Sequence, residues 1–181
     1  MKNAAFDEFV KSEQEPTHSK INWVKERDEW LKRLEELNHR IRGYLEEYIS
    51  SGQIQFETHP VELTEENIGT YKVEQITLKI GRKQVRFQPV GTLLIGSKGR
   101  VDVIGPRGTA VPLLLVNSKT NRASDMVRVY VGLGGKPPVV PKKEPGEIKW
   151  EWKMITRPPE RRFVEITQET FFQMIMEVAN G

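Results

Sequence analysis

The 181-residue chain contains no cysteine. That absence excludes disulfides, thiolate nucleophiles, iron–sulfur clusters and cysteine-ligated zinc, and it fits a reducing, cytoplasmic setting. Histidine is nearly as scarce. His18, His39 and His59 stand far apart, with no pair at the i, i+4 spacing that lets two imidazoles share one ion, so no histidine metal centre and no cofactor are expected. Long apolar runs are missing too. The longest, Ala110 to Val116, is interrupted by Pro112 and falls far short of the ~20 residues that span a bilayer. Met1 to Glu15 is acidic and lacks the apolar core of a secretory signal, so no membrane association is expected. What remains is 37% apolar and 29% charged residues with 11 Pro and 14 Gly, the profile of a soluble globular protein rich in turns.

Charge is unevenly spread. Residues 1–70 hold 9 Lys and Arg against 15 Asp and Glu, whereas residues 71–181 hold 19 against 10. The densest run of one sign is Arg82, Lys83, Arg86, Lys98, Arg100 and Arg107, opposed over that stretch only by Asp102. These six cations form the candidate site for nucleic acid or another anionic partner. The acidic first part is a second possible destination for them, within the chain itself.

Residues 1–18 read as a flexible polar tail, with a short helix around Ala4 to Val10. Residues 19–52 change character. Trp23, Arg27, Trp30, Leu34, Leu37, Ile41, Tyr44 and Tyr48 alternate steps of four and three, which predicts a long amphipathic helix capped by Ser19 or Asn22 and ended near Gly52. At ~1.5 Å per residue it would run about 40 Å. The same spacing marks a coiled-coil seam, so Trp23, Trp30, Leu34, Leu37, Ile41 and Tyr44 are the candidate interface for a protein partner or a second copy of the chain.

From residue 53 the period falls to two. Strands are predicted over Gln53–His59, Tyr71–Ile80 with a bulge between Val73 and Ile76, Gln84–Val90, Thr92–Ile95, Arg100–Ile104, Ala110–Val116 and Met126–Val131, and over the alternation Ile148, Trp150, Trp152, Met154. Pro60 to Gly69 and Leu133 to Gly146 read as loops. The short separators favour antiparallel neighbours. A helix closes the chain from Gln168, with Thr167 as its N-cap and Phe171, Phe172, Ile175 and Val178 as its buried stripe. The expected fold is α+β: a long N-terminal helix, then a β-rich region over residues 53–181 forming an antiparallel sheet or partly closed barrel of six to eight strands, and a C-terminal helix.

Little in the chain points to catalysis. Gly91-Thr92-Leu93-Leu94-Ile95-Gly96-Ser97-Lys98 reverses the Lys-Ser order of a phosphate-binding loop and has an apolar middle. Trp150 and Trp152 alternate with Lys149 and Lys153, putting aromatics and cations on opposite faces, which suits a core better than a base-stacking platform. Gly99-Arg100-Val101-Asp102-Val103-Ile104 followed by Leu114-Leu115-Val116-Asn117-Ser118-Lys119 resembles the core of the PD-(D/E)xK nucleases. That resemblance implies Asp102 as a metal ligand and Lys119 as the lysine that orients water or stabilises charge, while Asn117 stands where the family has a carboxylate. The preferred expectation is a non-enzymatic binding or adaptor protein, with nucleic-acid binding or a degenerate nuclease-like domain as alternatives.

Overall fold

The computed structural model describes residues 21–92, 96–122, 148–159 and 161–181. Helix α1 (Trp23–Ser50) comes first, followed by β1 (Ile54–Glu65), β2 (Gly69–Ile80), β3 (Lys83–Gly91), β4 (Arg100–Ile104), β5 (Ala110–Asn117), β6 (Trp150–Ile155), β7 (Phe163–Glu165) and helix α2 (Gln168–Asn180). Among the described residues seven strands form one antiparallel meander in sequence order, and the sheet is not closed: β1 and β7 stand at its two ends. The α+β expectation is met. The predicted tail over residues 1–18 lies outside the described residues, as do the Met126–Val131 strand and the Leu133–Gly146 loop, together with most of Thr92–Ile95.

Both helices begin on side-chain caps. Asn22 Oδ1 accepts from Lys25 N at 3.1 Å, and Thr167 forms a reciprocal box with Thr170, so each satisfies backbone donors that a first turn leaves without helical partners. Gly52 takes φ +76° after α1, the left-handed region where a side chain would be strained.

The core lies between the helices and one sheet face. Trp30, Leu34, Leu37, Ile41 and Leu45 of α1 are buried, as are Phe171, Met174, Ile175 and Val178 of α2. They meet the in-pointing rows Leu78–Val85, Ile76–Phe87–Val103–Val111, and Val101–Leu113–Met154. Removing each large side chain from water is worth about 1.5–3 kcal/mol, so this stripe accounts for much of the stability. The Trp30 indole packs 5.8 Å from the Trp152 ring of β6.

Three sequence expectations are corrected. Pro60 does not end β1: the β1–β2 register runs unbroken from Ile54↔Ile80 through Pro60↔Glu74 to Glu65↔Gly69. An edge strand tolerates proline because the missing N–H can face away from the ladder. Nor is there a bulge in β2. Before Ile76, from Gly69 to Gln75, β2 pairs with β1 alone, and a two-stranded ribbon twists strongly enough to turn Val61, Leu63, Tyr71 and Val73 toward the core without an inserted residue. The irregularity falls in β3, between Pro89 and Gly91. Finally, Lys153 is not on a wet face. It is 3% exposed, and its ammonium donates to the carbonyls of Ser118 at 2.7 Å and Thr120 at 3.0 Å, in the turn that follows β5.

Candidate functional site

The 4-3 stripe of α1 is used inside the chain. Trp30, Leu34, Leu37 and Ile41 are buried against the chain's own sheet, so they offer no free surface to a partner. Tyr44 is half-buried, donates its hydroxyl to Ile166 O at 2.9 Å and packs 5.4 Å from Phe171. Of the six interface candidates, Trp23 in the first turn is the one clear of the core cluster; Tyr48, at the far end of the stripe, is also exposed. Helix-on-sheet packing and a coiled-coil seam share one periodicity, so the sequence pattern alone fits either.

The six cations of the basic run divide four ways. Lys98 faces α1: its ammonium lies 3.2 Å from Glu26 and 3.5 Å from Glu29 and 5.4 Å from the centre of the Trp150 ring. Here the acidic first part does dock on the basic second. Lys83 reaches the end of α2 and donates to Asn180. Arg82 and Arg107 occupy the β2–β3 and β4–β5 turns, which an antiparallel meander places at one end of the sheet. Arg86 and Arg100 point away from the helices, since the alternate residues Val85, Phe87, Val101 and Val103 are buried beneath them. Arg86 stands opposite Ile104, and four residues along β4, about 13 Å, Arg100 stands opposite Leu114.

Asp102 serves Arg100. Nε donates to Oδ1 at 2.7 Å and Nη2 to Oδ2 at 3.0 Å, a fork-to-carboxylate pair that fixes the guanidinium plane. The nuclease-like reading is not supported by this placement. Asp102 pairs with Pro112, five residues and about 16 Å along the strand from Asn117, and Lys119 lies beyond that in the turn. Among the described residues, no group of three or more His, Asp or Glu side chains is placed to hold a metal.

Two cations that sequence reasoning passed over complete the outer face. Arg157 and Arg161 follow β6 and line, with Arg100, a cleft of about 390 Å³ floored by Pro112, Leu114 and Ile155. Nothing local in the sequence brings the Arg157-Pro158-Pro159 segment beside β4; the ordering of β4, β5 and β6 does so. Arg157 is held by Glu177 of α2 at 3.0 Å. Among the described residues, Arg82, Arg86, Arg107 and Arg161 have no ion-pair partner.

A second polar cluster is internal. Glu65, 9% exposed at the tip of β1, accepts from the Tyr71 hydroxyl and from Thr92 N at 2.8 Å and Oγ1 at 2.7 Å. Burial and then the adjacent Glu65 push the Tyr71 phenol well above its ordinary pKa. Its donors and acceptors satisfy one another, which ties the β1–β2 tip to the end of β3.

Comparison with protein-family models, with curated proteins and with solved structures finds no match. Among the described residues, no helix is long and apolar enough to cross a membrane.

Proposed function

We propose that this is a non-enzymatic binding protein whose sheet face opposite α1 and α2 carries the phosphodiester backbone of a nucleic-acid strand. The supporting observation is the distribution of arginine. Arg86 and Arg100 project from that face, Arg82 and Arg107 extend it at one end, and Arg157 and Arg161 flank its cleft. Four of the six lack a carboxylate partner among the described residues, so they hold guanidinium donors available to phosphate oxygens. The large aromatics Trp30, Phe87, Phe171 and Trp152 are in the core. Contact through phosphates rather than stacked bases gives weak sequence preference and strong salt dependence.

Fluorescence anisotropy with labelled single- and double-stranded DNA and RNA tests this. If all six arginines touch phosphates, the slope of log affinity against log salt is about −4 for a single strand. Arg82→Glu with Arg86→Glu should flatten that slope by at least one unit. Binding that ignores salt, or a charge-reversed variant that binds as the parent does, would overturn the reading and return attention to a protein partner.

A further inference from the structure

We infer that the cleft beside β5 and β6 is a distinct pocket for a phosphomonoester joined to a compact, weakly polar body, the chemistry of a nucleoside monophosphate or of the phosphorylated end of a strand. It begins with a proline. The β5–β6 ladder runs from Asn117↔Trp150 to Leu113↔Met154 and stops there. The next residue, Pro112, has no N–H with which to continue it, although the β4–β5 register carries on through Pro112 to Ala110. The two strands therefore part below Leu113, and the opening is lined on both sides of the sheet by Val111, Ile155, Thr156 and Arg157.

Its outer mouth has the volume and composition of a small-ligand site. About 390 Å³ lies toward the lower end of the ~300–1,000 Å³ typical of such pockets, and an apolar floor with few polar groups is their usual make-up. Pro112, Leu114 and Ile155 supply that floor, and Arg100, Arg157 and Arg161 supply the charge. Two of the three guanidiniums are held in place by carboxylates that leave donors over. Asp102 takes Nε and Nη2 of Arg100, leaving Nη1, and Glu177 meets Nη2 of Arg157. Each guanidinium has five N–H donors. Three such groups offer more donors than the two oxygens of a carboxylate use, and they match the three terminal oxygens and double charge of a phosphomonoester.

The test titrates the full chain with adenosine 5′-monophosphate, uridine 5′-monophosphate, adenosine and inorganic phosphate by calorimetry. Both monophosphates should bind at least about tenfold more tightly than adenosine or phosphate alone, because charge and floor are used together. Arg161→Ala, at an exposed position that does not threaten the fold, should weaken monophosphate binding about tenfold. Leu114→Trp, its folding checked by circular dichroism, should abolish that binding by filling the floor. Monophosphates binding no better than phosphate, or both variants binding as the parent does, would overturn the proposal.

Arg86→Glu separates this pocket from the strand-binding reading. It should weaken oligonucleotides and leave monophosphate affinity unchanged, so either proposal can fail without the other. A 5′-phosphorylated oligonucleotide that outcompetes its 5′-hydroxyl counterpart identifies the occupant as a strand end. Equal competition, with monophosphate binding retained, identifies it as a free nucleotide.

Discussion

A methyl group at residue 99 would strike the Trp30 indole. A Cβ built on Gly99 lies 2.1 Å from Cζ3 and 2.4 Å from Cε3 of that ring, well inside the ~3.5–4.0 Å at which carbons make favourable contact. The indole has no room to retreat. It is 1% exposed and packs against Trp152, while Gly99 is held by its carbonyl, which accepts from Leu115 N at 2.9 Å. Overpacking a tight core costs typically ~1–3 kcal/mol, and with both sides fixed Gly99→Ala should reach about 3 kcal/mol. At roughly 2–4 °C per kcal/mol for a chain this long, the melting midpoint should fall by about 6–12 °C. Trp30→Leu should cost a similar ~3 kcal/mol by emptying the site. The two changes should not add, because leucine removes the ring atoms that the new methyl strikes, and in that background Gly99→Ala should cost less than ~1 kcal/mol. Urea unfolding of the parent, both single variants and the double variant measures the coupling. Additivity within ~0.5 kcal/mol, the behaviour of independent sites, would refute the packing argument.

Further outcomes are expected of the same structure. Lys153→Met keeps the stem and deletes the ammonium, leaving the carbonyls of Ser118 and Thr120 without their donor; urea unfolding should show a loss of about 2 kcal/mol. Thr167→Ala removes the cap of α2 and should cost about 1 kcal/mol, with faster amide exchange in that helix's first turn. Because the folded protein raises the Tyr71 pKa, the native state holds that proton more tightly than the unfolded chain. The associated stability is complete below the unfolded phenol's pKa of ~10 and declines as pH rises above it. Melting from pH 9 to 11 should therefore fall less steeply in Tyr71→Phe than in the parent.

Periodicity determined most of the architecture. The 3.6-residue stripe from Trp23, the Asn22 cap, the Thr167 cap and the two-residue alternation after Gly52 each depend on neighbours a few residues away, and all of them appear in the fold. Strand limits were harder to read. Whether Pro60 ends a strand depends on its lying at the sheet edge, and whether Val73 points inward depends on how far β3 accompanies β2. Neither fact is local.

The site divides along the same line. Composition alone shows that residues 82–107 are basic, but only tertiary structure separates Lys98, turned toward Glu26 and Glu29 of α1, from Arg86 and Arg100 on the face opposite α1 and α2. The α1 stripe is equally ambiguous in sequence, since a seam for a partner and a face against a sheet need the same spacing. Burial of Trp30, Leu34, Leu37 and Ile41 within the chain decides between them. Arg157 and Arg161 acquire meaning only beside Arg100, some sixty residues earlier in the chain. Sequence pattern specifies which face of each element is apolar, because that is a property of consecutive residues. Which charges share a surface is set by strand order and register, which bring distant segments together.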